Sequence, residues 1–263
     1  MSLNARQKQR YARNIALAQV GEAGQAQLSR SRVLVVGAGG LGSPAALYLA
    51  AAGIGTLGLV DDDTVDISNL QRQILYRAAD VQKLKVHQAK AALQAFEPDL
   101  HVEMHAERLT PANALDIIGR YDFIVDATDT FRSKYLIADA CHFARKPYSH
   151  AAVLGFDGQA MTVIPGQTTC FRCVFGGPPP PGAVPSSAEV GVLGALPGVM
   201  GTLQATEAVK YCLRIGSLLT DRLLRYDALA MKFREVRVQK NVDCPLCGAH
   251  PSVTGLGDAD APA

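Results

Sequence analysis

The sequence predicts an α/β fold: a mostly parallel sheet with helices on both faces, extended by antiparallel strands. Three observations lead there. Short β-branched runs such as Arg32-Val33-Leu34-Val35-Val36 and Phe123-Ile124-Val125 lack polar alternation, which marks strands buried on both faces. Each run is followed by a segment of helical periodicity, the pattern of parallel strands joined by crossover helices. After residue 150 the pattern changes to short strands around glycine turns.

Residues 1–30 read as a helical segment broken near Gly21 and Gly24. The run Arg32–Val36 stops at glycine, an alanine-rich helix follows over Gly42–Ala52, and a second strand, Thr56–Val60, ends at Asp61. Helices are expected at 86–96, stopped by Pro98, and at 112–118 and 130–144; strands are expected at 102–105, 123–125 and 148–152. Gly155-Phe156-Asp157-Gly158 between apolar flanks suggests a hairpin. Residues 176–185 hold four consecutive prolines and three glycines, so they are a linker or a loop near the active site rather than regular structure. A long apolar helix at 196–213 and strands at 223–226 and 233–238 complete the main unit, 31–248. A tail, 249–263, is expected to be disordered.

With 48% hydrophobic and 19% charged residues, the 263-residue chain has the composition of a folded protein rather than a disordered one. Its net charge of +2 is too mild to favour nucleic acid or a membrane surface as partner. The polar N-terminus lacks the apolar core of a secretory signal, and the apolar stretch 41–54 is too short to span a bilayer. A cytoplasmic protein is the expectation.

Gly37-Ala38-Gly39-Gly40-Leu41-Gly42 follows a strand and opens a helix, the context in which G-x-G-x-x-G binds a nucleotide. The glycines let the backbone approach a phosphate, and the helix N-terminus presents free N–H groups. Asp61, at the end of the second strand, stands where a ribose hydroxyl is bound in a Rossmann-like sheet. A tight turn without ligand is the competing reading, and the turn does not choose between NAD and ATP. The following stretch, Asp61 to Gln73, is longer and more polar than a dinucleotide fold needs. Arg72 and Lys85 are suited to phosphate oxygens, and Asp126-Ala127-Thr128-Asp129 places carboxylates after a strand, where magnesium is commonly held. Each residue alone reads better as part of a solvated loop; together they describe phosphoryl or nucleotidyl transfer.

The ordered set Arg10-Tyr11-Ala12-Arg13, Gly37 to Gly42, Ser68-Asn69-Leu70-Gln71-Arg72-Gln73, Lys83-Leu84-Lys85, Asp126 to Asp129 and two cysteine pairs resembles the MoeB/ThiF/HesA family of ubiquitin-like-protein activating enzymes. The resemblance runs from Arg10 to Cys247. It implies ATP as cosubstrate, with Asp61 on the ribose, Asn69, Arg72 and Lys85 on the triphosphate, and Asp129 on magnesium. It also implies a homodimer in which Arg13 reaches the γ-phosphate end of ATP in the other subunit. Gly37, Gly39, Gly40, Gly42, Asp63 and Gln73 complete the nucleotide-binding candidates. The implied partner is a small ubiquitin-fold sulfur carrier ending in Gly-Gly, whose terminal carboxylate attacks the α-phosphorus and expels pyrophosphate. That carboxylate is ionised at neutral pH, so no strong general base is required.

Cys170-Phe171-Arg172-Cys173 and Cys244-Pro245-Leu246-Cys247 have knuckle spacing and suit one closed, structural Zn(Cys)4 site; two redox pairs are the alternative. Cys141 and Cys212 fall within predicted helices and read as packing residues. His101 and His105 share a strand face and read as a solvated or hydrogen-bonded pair. Many members of the resembled family carry a cysteine after the proline-rich segment that can take up the activated carrier. Ser187 stands in the matching position here, and a hydroxyl is a poor acyl acceptor without an added base. The resemblance then implies adenylation without a covalent step, and a separate sulfur donor. Rival readings are an NAD-dependent oxidoreductase, an ATP-dependent enzyme modifying a tRNA base, and a catalytically silent dimer partner. The first leaves Asn69, Arg72, Lys85, Asp129 and the cysteine pairs without a role.

Overall fold

The computed structural model describes residues 3–180, 182–185 and 187–257, with the side chains of Ser187 and Ala188 outside that description. Among the described residues, β1 (Arg32–Val36), β2 (Thr56–Val60), β3 (His101–His105), β4 (Phe123–Asp126), β5 (Tyr148–Leu154), β6 (Asp157–Val163), β7 (Arg222–Asp227) and β8 (Lys232–Arg237) form one sheet. Its order is β3-β2-β1-β4-β5-β6-β7-β8. The pairs from β3 to β5 are parallel and those from β5 to β8 antiparallel, as the change of pattern after residue 150 predicts.

The helices are α1 (Ala5–Arg10), α2 (Ala12–Ile15), α3 (Gly21–Leu28), α4 (Gly42–Ala52), α5 (Lys85–Phe96), α6 (Ala114–Gly119), α7 (Phe131–Ala144), α8 (Phe171–Phe175), α9 (Ser187–Val190) and α10 (Ala195–Leu213). The unbroken apolar runs of the central strands follow from a two-sided core. On β1, Val33 and Val35 pack in the cluster that includes Leu49 of α4, Leu93 of α5 and Met200 of α10. Leu34 and Val36 point the other way, into a cluster with Ile117 of α6 and Ile137 of α7. One-residue alternation thus feeds two cores at once.

Two expectations are revised. Gly24 does not break the N-terminal segment but lies inside α3, where a Cβ would come within 3.1 Å of Leu213 Cδ2. The break falls in the turn before Gly21. That segment is also anchored: Tyr11 Oη donates to buried Glu97 at 3.1 Å, and Arg10 pairs with the same carboxylate. The stretch after Gly248, expected to be disordered, packs as far as residue 257. Val253 and Leu256 are buried against the cluster holding Cys244 and Leu246, and the Val253 N–H donates to Pro245 O at 2.8 Å. Two well-spaced apolar side chains are enough to seat it. Residues 258–263 lie outside the described residues.

The proline-rich segment has no regular structure among its described residues, as expected. It runs through α9 to an isolated pairing of Val192 with Gly155, at the β5–β6 turn. Leu193 N–H donates to Gly155 O and Gly155 N–H to Gly191 O, both at 3.0 Å. The segment is thereby fixed beside the C-terminal end of β5. Among the described residues no helix is long and apolar enough to cross a membrane.

Candidate active site

The chain leaves β1 toward β2 on one side and β4 toward β5 on the other, so the C-terminal ends of β1 and β4 flank a topological switch point. A cavity of about 560 Å³ opens there. Gly37, Gly39, Gly40, Asp61, Asp63, Arg72, Gln73, Lys85 and Asp129 all line it. Residues 92 positions apart in sequence therefore meet at one wall because the parallel register puts their strand ends together.

Gly37 has φ +94°, and a Cβ there would lie 2.7 Å from Ala127 O, so the turn requires glycine both for its conformation and for its approach to β4. The turn is tied down from two sides. Ala38 N–H donates to Asp61 Oδ2 at 2.7 Å, and Ala38 O accepts from buried Tyr76 Oη at 2.7 Å. Burial and the neighbouring Asp61 push the Tyr76 phenol up, so it stays a neutral donor. Burial also raises the Asp61 carboxyl, against the pull of Lys85 and two backbone N–H groups.

Lys85 is placed by a short antiparallel pairing of Thr64 with Leu84. Val65 N–H donates to Lys83 O and Lys85 N–H to Asp63 O, each at 2.9 Å. This starts α5 at Lys85 and turns its buried side chain inward, where Nζ meets Asp63 Oδ2 at 2.8 Å. Arg72 extends past the glycine turn, its Nη1 donating to Ser68 O at 3.0 Å. Gln73 is 4% exposed and its Oε1 is buried without a partner among the described residues.

Three candidates stand elsewhere. Asn69 does not line the cavity; its Oδ1 accepts from Asp66 N–H at 3.2 Å and caps the single 3-10 turn Ile67–Asn69 that carries the chain to Arg72. Gly42 opens α4 beneath the turn, where any Cβ would overlap Gly37 O. Arg13 is exposed on α2 and does not line the cavity of its own chain. His101 Nε2 lies 3.5 Å from Glu103 Oε1, and His105 Nε2 is hydrogen-bonded to Tyr121 Oη at 3.1 Å. Cys141 and Cys212 are buried.

Beneath Asp129 lies a network of which the motif pattern contains only Asp126 and Thr128. Thr130 caps α7, and one turn later Lys134 points back at the floor of the cavity. Asp126 is 1% exposed; its Oδ1 accepts from Thr128 N–H at 3.1 Å and Oγ1 at 2.7 Å. Its Oδ2 meets Lys134 Nζ at 3.3 Å and His150 Nδ1 at 2.9 Å. Burial opposes the charge on Asp126, but Lys134 and these donors overcome it and hold the carboxyl at about 2. Burial and Lys134 lower His150, which stays neutral and donates from Nδ1. A carboxyl lowered from 3.8 to about 2 contributes about 2 kcal/mol, present in full above pH ~4 and lost as pH falls toward 2. Asp126→Asn should therefore lower Tm at pH 7 and lose less of its remaining stability between pH 4 and 2 than the parent. Equal acid sensitivity in differential scanning calorimetry would contradict this assignment.

Away from the cavity, α8 and the chain after β8 bring the four paired cysteines together. Sulfur separations are 3.6 Å for Cys170–Cys173, 3.5 Å for Cys170–Cys244, and 3.4 Å for both Cys173–Cys247 and Cys170–Cys247. A tetrahedron of ~2.3 Å Zn–S bonds has edges of about 3.8 Å, so the donor set fits one closed site. Arg172, between the first pair, makes a buried bidentate pair with Asp139 of α7, both contacts 2.7 Å. Tyr135 Oη of α7 donates to Gly177 O at 2.6 Å, anchoring the base of the proline-rich segment.

The ThiF family model matches residues 11–246. The chain belongs to the ThiF family. It is 48% identical over 257 residues to a sulfur carrier protein adenylyltransferase of Thermus thermophilus, covering 96% of this chain and 95% of that one. It is 47% identical over 260 residues to the SAMP-activating enzyme E1 of Haloferax volcanii, with 99% and 96% covered. A bovine adenylyltransferase and sulfurtransferase, MOCS3, is 44% identical over 261 residues; the match takes in 99% of this chain but 57% of the longer relative. Among solved structures, E. coli MccB crystallised with ATP superposes with TM-score 0.80 at 22% identity, over 91% of this chain and 73% of that one. The last likeness establishes the fold alone. The ThiF-family sheet and its switch-point cavity are thus the setting for the residues above.

Proposed function

We propose that this ThiF-family chain is an ATP-dependent adenylyltransferase that activates the C-terminal Gly-Gly carboxylate of a small ubiquitin-fold sulfur carrier. The observation that carries this is the convergence of the glycine turn, Asp61, Arg72, Lys85 and Asp129 on one switch-point cavity. A nucleotide seated on the turn would give its ribose to Asp61 and its polyphosphate to Arg72 and Lys85. Asn69 acts one step back, through the turn that presents Arg72. Asp129 is the group to hold magnesium, which when bound would offset phosphate charge. The exposed Arg13 serves the cavity of a second copy in a homodimer.

In the reaction a carrier carboxylate oxygen bonds to the α-phosphorus while the bridge from that phosphorus to the β-phosphate breaks. The bonding pair leaves with pyrophosphate, and no proton is transferred. What the chain supplies is alignment and preorganised positive charge in a partly dry cleft. With Ser187 at the position of the family cysteine, the acyl-adenylate is the final product and a separate protein donates sulfur. A carrier adduct trapped on this chain in non-reducing mass spectrometry would overturn that last step. Zinc in the four-cysteine site is structural, since four thiolates leave no open position.

Calorimetry separates this reading from an oxidoreductase. ATP with magnesium should bind and NADH should not; binding of NADH alone would reassign the cavity.

A further inference from the structure

Lys134 belongs to none of the motifs that mark the nucleotide site, yet it lines the cavity while only 5% exposed. Its ammonium carries three N–H donors. Ala151 O accepts one at 2.7 Å and Asp126 Oδ2 faces another at 3.3 Å. No acceptor for the third is found among the described residues. Buried donors are nearly always satisfied, so a third acceptor is expected when the site is filled.

Position says what that acceptor is. Arg72 comes from the segment between β2 and α5, and Lys85 is the first residue of α5, both on the glycine-turn half of the cavity. Lys134 instead sits between the C-terminal ends of β4 and β5, held by a residue from each. The cavity wall on that half includes Ala152, Val153 and Val192, the last fixed to the β5–β6 turn. That is the half opposite the cations suited to a leaving pyrophosphate, and in-line displacement brings the attacking carboxylate in from there.

Charge fits as well. Asp126 neutralises the ammonium, so the pair presents one aimed donor with little net charge. Such a donor can orient a carboxylate stripped of water without binding it so strongly that its nucleophilicity is lost. We propose that Lys134 Nζ binds one oxygen of the incoming C-terminal carboxylate and so leaves the other to attack the α-phosphorus. Lys134 is thereby a substrate-binding catalytic residue of the adenylation step, and the assignment rests on the adenylation reading.

The test begins with the wild type and the Gly-Gly-ending ubiquitin-fold protein that gives it the strongest pyrophosphate exchange. Lys134→Met alone leaves Asp126 buried without its partner, so it is combined with Asp126→Asn. The double variant should bind ATP within about twofold of wild type while kcat/KM for the carrier falls by ~10²-fold. Lys134→Arg keeps the charge and carries the same readout if the double variant does not fold: raised carrier KM, unchanged ATP affinity. Equal losses for ATP and carrier would mean a structural or polyphosphate role and overturn the assignment, as would an unchanged carrier kcat/KM. If the wild type exchanges with no Gly-Gly protein, the adenylation reading itself fails, a result distinct from either of these.

Discussion

Lys85→Met should reduce carrier-dependent pyrophosphate exchange by ~10²- to 10³-fold while leaving the chain folded. The asymmetry of its ion pair allows both halves of that expectation. The Lys85 side chain is 7% exposed and aimed into the cavity, whereas its partner Asp63 is 63% exposed and stays solvated once the ammonium is gone. Methionine fills the stem's volume, so no cavity results, and Asp61, which also loses the pull of Lys85, keeps its two backbone N–H donors. What disappears is a preorganised cation lining the cavity proposed for the polyphosphate, a loss that would be felt most where the leaving pyrophosphate gathers charge. Single-turnover kinetics with saturating ATP would show the deficit in the chemical step. A deficit below about threefold would remove Lys85 from the catalytic set.

Stripping the four-cysteine site should have the largest effect on stability. One zinc per chain is expected by elemental analysis of protein purified under reducing conditions. Cys244→Ser should release it and lower Tm by roughly 10 °C, several kcal/mol for a chain of this size. The site joins residues 74 apart in sequence, so its loss frees the segment after β8 from α8. From α8 the Arg172–Asp139 pair leads to α7, the helix that also carries Lys134. Because four thiolates would leave no open position on a zinc ion, exchange per folded molecule should persist at low temperature. Metal-free protein with the parent Tm would contradict the structural assignment.

How much of this was legible in sequence depends on how far apart the partners lie. The glycine turn, Asp61 and Asp129 announce themselves because each follows a strand end that shows in the apolar pattern, and Arg72 and Lys85 as cations in or after a polar stretch longer than a dinucleotide fold needs. The cysteine pairs are equally plain, since ligand spacing is local even when the pairs are distant. Lys134 is not legible. Its acceptors lie 8 residues back and 17 residues on, and only the β4–β5 register brings them together. Asp126 was visible as a carboxylate after a strand, but its partner His150 is set by the same register. Asn69 is conspicuous as a motif residue, but only the structure shows that its Oδ1 is taken up by a local cap, which leaves the amide Nδ2 as the group available to a ligand. The seating of Val253 and Leu256 was missed because two apolar residues in a polar tail carry no periodic signal.

The most direct test of the account is exchange of labelled pyrophosphate into ATP, run against ubiquitin-fold proteins ending in Gly-Gly. The account predicts exchange with at least one of them, abolished when that protein's last glycine is deleted and strongly reduced in Lys85→Met. Absence of exchange with every such protein, from folded enzyme that binds ATP, would contradict it.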